Sequence, residues 1–506
     1  MALAELYGRG KFTFDRVLGG ETLRAKAMRG AAFLGGGSVA EQAIRFARNM
    51  LLTRLLAPSA FGAMAIVMAA SAIVGTLTDV GSRSAVIQNP RGGETSYVNA
   101  GWWMEIGRAI GMYVVIFTMA PWVAHFYGNA ELSGLLRVTL LGALFDGAMS
   151  PRSILLQKEM KFGRWMVLNN GGAICGVALT LILSFVLRDV WALAIGFCSE
   201  NFFRCVLSYI LCPGLPLVGW DRHAMRDLFR FSRAAFGLAF LNLVFSRTDV
   251  FVLGKLYSTT DLGLYVMAVA LVQTPASFLT TILGQSLFPA IAHVQDDKER
   301  VNRVLTEVTS WLVLFGLPCV VVIYLCGHSL LSIFYGSRYV VGAGPLVVAA
   351  IVMFLTILNA AITCAFMGVG RPGLHRLAVA ASAIVMLVLI YPACKLLGVM
   401  GGQVAALIAI GASCAIQILR MRELTGLNLS RYAKTFAMPL LLSGGLLAAG
   451  LGARFLGLAT RPIDNVVLVA GACVIAYALY VPTFFRTRKT QSAVTGDRDS
   501  AVWNLN

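Results

Sequence analysis

Apolar stretches of about twenty residues recur from one end of the 506-residue chain to the other. Each is long enough to cross the ~30 Å hydrocarbon core of a bilayer as an α-helix. This spacing predicts fourteen spans, at about 31–56, 60–81, 98–123, 132–151, 165–187, 191–212, 233–256, 263–288, 305–326, 342–368, 374–394, 398–419, 435–455 and 463–485. The expected fold class is all-α, a polytopic membrane protein. One stretch breaks the pattern. "GSVAEQAIRFARNM", Gly37 to Met50, places Glu41, Arg45 and Arg48 inside the first span. A charge at the bilayer centre costs about 2.5–3.5 kcal/mol on insertion scales. At about 100° per residue the three positions fall on one helix face, so they form a polar stripe.

The pattern also repeats. "LTRLLAPSAFGAMAIVMA" from Leu52 aligns with "LGKLYSTTDLGLYVMAVA" from Leu253 at a shift of 201, with Arg54 against Lys255 and Gly62 against Gly263. Both blocks join a first span to a second. The expected organisation is a basic lead (1–30), a six-helix bundle (31–212), a connecting loop (213–232), a second six-helix bundle (233–420), two additional spans (421–489) and a polar tail (490–506). Duplicated transporters of this kind hold their substrate between the halves, near the midplane.

Composition narrows the reading. With 58% hydrophobic and 13% charged residues and a mean hydropathy of +0.76, the chain is too apolar for a soluble protein of this length. The net charge of +18 would suggest a nucleic-acid partner in a soluble protein; here none is expected, because the charge is sided. Twenty-nine of the 42 Lys and Arg fall in the amino-terminal lead, the tail and the loops on their side, and seven on the other. Both termini are thereby expected in the cytoplasm. The first thirty residues carry six basic residues ahead of a full-length span and read as a cytoplasmic lead, not a cleaved signal. The ten Cys form no CxxC pair, so neither a disulfide framework nor a zinc site is indicated.

Chemistry is sparse. There is no GxxxxGK[ST] phosphate loop. The five His are isolated, "DRD" at 497–499 lies in the tail, and the outward loops are short, which argues against an enzyme that elongates glycans. No metal or cofactor is expected. What remains is charge within the spans: besides the first, Glu105 and Arg108 in the third, Arg137 and Asp146 in the fourth, Glu200 and Arg204 in the sixth, and Arg247 and Asp249 in the seventh. Glu41–Arg45 and Glu200–Arg204 are spaced i,i+4 and Glu105–Arg108 i,i+3, so each pair can meet on one face. Glu105–Arg108, Arg137 and Glu200–Arg204 read as structural. The first-span stripe reads as functional, because Glu41 can neutralise only one of two Arg, and the other must face water, protein or an anion. An Arg fork suits a diphosphate. At the shift of 201 the stripe maps to Asn242, Ser246 and Asp249 in the seventh span, which gives a cavity one basic and one mildly acidic wall, with an expected Arg48–Asp249 pair across the halves.

"TRLLAPSAFG" (Thr53–Gly62), "DVGSRSAVIQ" (Asp79–Gln88), "LLQKEMKFGR" (Leu155–Arg164), "DVFVLGKLYSTTDLGLY" (Asp249–Tyr265) and "LFPAIAHVQDDKER" (Leu287–Arg300) resemble the recurrent blocks of Wzx-type polysaccharide flippases. These belong to the multidrug/oligosaccharidyl-lipid/polysaccharide (MOP) exporter superfamily. The resemblance is densest over residues 30–305. It implies a transporter of the bacterial inner membrane that moves an undecaprenyl-diphosphate-linked oligosaccharide to the periplasmic leaflet by alternating access, with proton or sodium coupling. Its partners would be that lipid-linked glycan, membrane lipids, a polysaccharide polymerase and a chain-length regulator. On charge and placement, Arg45 and Arg48 would receive the diphosphate, Glu41 would hold one Arg until it arrives, and Asp249, Asn242, Ser246 and Arg247 would serve gating or ion coupling. The alternatives are a drug or cation antiporter of the same superfamily, a flippase for the peptidoglycan precursor, and a membrane glycan polymerase.

Overall fold

The computed structural model describes residues 23–79, 81–216, 221–232 and 236–455, with isolated positions between 464 and 471. The lead before residue 23, the tail and nearly all of the fourteenth predicted span lie outside the described residues. The described chain is helical, without strands, and the other thirteen predicted spans coincide with long helices. In chain order the first half holds α1 (Leu23–Leu55), α2 (Pro58–Thr78), the short α3 (Ser82–Gln88), α4 (Thr95–Tyr127), α5 (Glu131–Gly147), α6 (Phe162–Leu187) and α7 (Trp191–Leu211). A connecting helix, α8 (Arg222–Ser232), leads to α9 (Phe236–Leu256), α10 (Thr259–His293), α11 (Lys298–Phe334), α12 (Ala343–Gly368), α13 (Pro372–Leu397), α14 (Gly401–Thr425) and α15 (Leu429–Phe455). Nine of the described segments are long and apolar enough to cross a membrane, or ten if the pair Glu131–Gly147 and Pro151–Lys158, bent by 76°, is one span. Among them Pro372–Thr425 contains two helices. α1 and α7 fall outside that set because their charged residues lower the hydropathy.

The two halves pack alike. α4 packs on α5, α5 on α7, α6 on α7 and α1 on α6; in the second half α11 packs on α12, α12 on α14, α13 on α14 and α9 on α13. Across the halves α2 runs along α10, and α2–α9 and α1–α10 are equivalent contacts. This is the packing expected of a duplicated six-helix unit. Lipid offers no hydrophobic drive between helices, so close backbone approach at small residues does the work. Gly62 and Gly263, matched by the repeat, face one another: a Cβ at Gly62 would run into the Thr259 carbonyl, and one at Gly263 into the Pro58 carbonyl. Gly62→Val should therefore destabilise the protein by about 1–3 kcal/mol through overpacking. An unchanged thermal midpoint in detergent would contradict the contact.

The cores are distributed unevenly along the bundle axis. At the face where α1 ends one core joins both halves, with Leu52, Phe61, Ile66, Ala124 and Leu132 of the first against Leu253, Leu262, Tyr265, Leu331 and Leu346 of the second. At the face where α1 begins each half has its own. Leu287, Ile291, Val301, Phe366 and Met421 form one; Val86, Tyr97 and Leu228, and separately Met149, Leu156 and Leu168, form the others. The halves are thus joined at the far face and separately packed at the near one.

Candidate functional site

α1 carries the polar stripe between the halves, packed against α6 on one side and α10 on the other. Gln42 donates from Nε2 to Ser277 Oγ on α10 at 3.3 Å. The predicted Glu41–Arg45 pair forms, with Arg45 Nη2 2.9 Å from Glu41 Oε1. The same Nη2 lies 2.8 Å from Glu200 Oε1 on α7. Glu200 also pairs with Arg204 at 2.8 Å, and Arg204 Nη2 stands 3.8 Å from Glu41 Oε1. The stripe and the sixth-span pair, which were separate in the sequence, are therefore one cluster of two carboxylates and two guanidiniums.

Two glycines make this possible. Gly172 and Gly176, one turn apart on α6, lie directly against Arg204 and Glu200: a Cβ at either would collide with the α7 residue beside it. α7 is thereby drawn close to α6, and its charges reach α1. Glu200 is the most enclosed of the four, with its side chain 5% exposed against 31% for Arg45 and Glu41. A buried carboxylate needs such partners, because desolvating it alone is costly.

Arg48 stands outside this exchange. Its Nε and Nη2 reach only the side-chain oxygen of neighbouring Asn49, at 3.4 and 3.3 Å, and it has no ion pair among the described residues. With Arg48 added, three guanidiniums face two carboxylates, and the excess cation is Arg48, half-buried on the same helix face.

The other candidates separate into different places. Glu105 pairs with Arg108 at 2.9 Å and accepts a hydrogen bond from Ser82 Oγ. Arg83 on α3 lies 2.9 Å from Asp146 Oδ2 and 4.0 Å from Glu105 Oε2, so it gathers Glu105, Arg108 and Asp146 into a second cluster within the first half. Arg83 appears in the sequence only as a loop charge. Arg137 lays its guanidinium over the Phe117 ring at 4.3 Å. On α9, Asn242 and Ser246 are exposed and donate to their own helix carbonyls at Leu238 and Leu243. Arg247 is exposed without an ion pair among the described residues. Asp249 does not meet Arg48. Its Oδ2 accepts from Tyr265 at 2.6 Å, and that hydroxyl accepts from Gln403 Nε2 at 2.7 Å, so the carboxylate is turned into its own bundle against α10 and α14. The expected cross-half pair is therefore replaced by a pairing inside the second half. A tyrosine hydroxyl sixteen residues on satisfies the carboxylate without crossing the interface.

Sequence comparison places the chain in a family. Residues 51–343, more than half of the chain, match the model of the family described as "Polysaccharide biosynthesis protein". The lipopolysaccharide biosynthesis protein WzxC of Escherichia coli (strain K12) is 20% identical over 333 residues, covering 63% of this chain and 65% of that protein. The succinoglycan biosynthesis transport protein ExoT of Rhizobium meliloti (strain 1021) is 23% identical over 298 residues, 58% of this chain and 60% of that protein. The chain thus spans less than two thirds of these relatives' own lengths. Among solved structures the lipid II flippase MurJ, in an inward closed conformation, superposes with a TM-score of 0.73 at 10% identity, over 89% of this chain and 98% of that one. The chain belongs to the polysaccharide biosynthesis protein family and shares its polytopic helical fold with the lipid II flippase MurJ.

Proposed function

We propose that this protein is a flippase that moves an undecaprenyl-diphosphate-linked oligosaccharide from the cytoplasmic to the periplasmic leaflet of a bacterial inner membrane, for exopolysaccharide, capsule or O-antigen synthesis. The observation that carries the reading is the excess guanidinium of Arg48, set between two halves that share a core at one face only. A half-buried Arg without a carboxylate is costly in a membrane unless an anion visits it. A diphosphate supplies two phosphate groups that a guanidinium fork can bind bidentately. The lipid tail can remain in the bilayer, so only the headgroup requires the polar path.

Arg48 is the first contact, and Arg45, shared between Glu41 and Glu200, is the second. The 29-to-7 charge asymmetry supports cytoplasmic termini, which makes the separately packed face the cytoplasmic one and the jointly packed face the periplasmic one. Asp249, linked through Tyr265 to Gln403, is the candidate for proton or sodium coupling. Binding tests the reading. Native mass spectrometry of the purified protein should retain lipid-linked oligosaccharide diphosphate in preference to undecaprenyl monophosphate. Equal retention of the two would reject diphosphate recognition.

A further inference from the structure

At the jointly packed face, two residues matched by the repeat make the same contact in opposite directions. Arg54, at the end of α1, donates from Nη2 to the Ile333 carbonyl of α11 at 2.9 Å. Lys255, at the end of α9, donates from Nζ to the Phe126 carbonyl of α4 and sits 4.5 Å from the centre of the Phe126 ring. Each cation thus reaches from its own half to the last turn of the equivalent helix in the other.

The acceptors lie within one residue of each other on equivalent helix ends. α4 ends in Phe126-Tyr127-Gly128 and α11 in Phe334-Tyr335-Gly336. Both glycines have positive φ, 67° and 100°, and close their helices. The Gly128 N–H bonds back to the Ala124 and His125 carbonyls, and the Gly336 N–H to those of Leu331 and Ser332. That leaves the Phe126 and Ile333 carbonyls to the two cations. The last carbonyls of a helix lack intrahelical partners and carry the negative end of its dipole, so a cation there satisfies both. Between the two contacts Gly62 and Gly263 bring the halves to backbone distance.

We propose that Arg54 and Lys255 are a matched pair of latches that hold the two halves together at this face and set how often it opens. The proposal rests on the two-state transport reading above, and takes it from the substrate site to the closed gate. Both side chains are exposed, so each latch is modest. Two of them, related by the repeat, act on the same opening and multiply.

Hydrogen–deuterium exchange of the full-length protein in lipid nanodiscs tests this without substrate, over segments 56–64 and 257–265, which flank the glycine contact. Met in place of either cation keeps the apolar stem and removes the donor. Exchange in both segments should rise about threefold for Arg54→Met or Lys255→Met, and about tenfold for the double variant. Lys255→Arg, which keeps a cation and a donor, should exchange as the wild type does. Wild-type exchange in the double variant, or equal exchange in Lys255→Met and Lys255→Arg, would overturn the proposal. Because no substrate is present, a failed substrate assay leaves these outcomes unchanged, and the converse also holds.

Discussion

Arg48→Ala is expected to reduce polysaccharide export by tenfold or more while leaving the amount of protein in the membrane unchanged. A hydrogen bond to a charged group contributes about 1.5–3 kcal/mol, which corresponds to about 10- to 150-fold in affinity. Arg48 has no carboxylate to abandon, so its loss leaves no buried charge unpaired. Alanine is also cheaper to insert than arginine. Lysine should rescue in part, as a point charge without the planar fork. Arg45→Ala should differ in kind, because it takes one partner from both Glu41 and Glu200, leaving the two carboxylates to Arg204 alone, and should lower protein amount together with export. Surface polysaccharide normalised to membrane protein separates the two. Normal export from Arg48→Ala would remove this residue from the substrate path.

Glu200→Gln is expected to be the most destabilising single change in the site. It removes the carboxylate that Arg45 and Arg204 share at 2.8 Å each. Arg204 would keep only Glu41, 3.8 Å away. Breaking one side of a buried ion pair costs about 3–5 kcal/mol, chiefly through the charge left behind. Glu41→Gln should cost less, since Arg45 retains Glu200 and both Glu41 and Arg45 are 31% exposed. Glu200→Gln combined with Arg204→Gln should recover much of the loss, because the stranded charge is gone. Thermal midpoints of the purified variants measure this, and a Glu200→Gln protein as stable as the wild type would show that the cluster does not hold α7 to α1.

The sequence makes one class of contact readable and hides another. Glu41–Arg45, Glu105–Arg108 and Glu200–Arg204 follow from helical spacing alone, and all three form. Joining the first and third needs the α6–α7 approach at Gly172 and Gly176, and nothing in the local pattern of α1 reports that approach. Arg83 belongs to a short helix outside the spans, so only the fold places it between Glu105 and Asp146. Asp249 lies on the same face as Asn242 and Ser246 by repeat arithmetic. Tyr265 on the next helix nevertheless supplies a nearer partner than Arg48, and a satisfied carboxylate has no reason to cross the interface. A second trace of the repeat was present in the text of the chain: Phe126-Tyr127-Gly128 recurs as Phe334-Tyr335-Gly336. Its shift of 208 rather than 201 hides it from a fixed-offset alignment, although it marks the helix ends that receive Lys255 and Arg54.

The central claim, a diphosphate received by Arg48 on its way across the membrane, is tested most directly in sealed vesicles. The protein is reconstituted with a fluorescent lipid-linked oligosaccharide diphosphate, and loss of the label from the outer leaflet is followed with an impermeant quencher or glycosidase. Wild-type protein should equilibrate the leaflets, and Arg48→Ala at equal incorporation should slow this by tenfold or more. Equal rates for Arg48→Ala and wild type, or no exchange above protein-free vesicles for the wild type, would contradict the account.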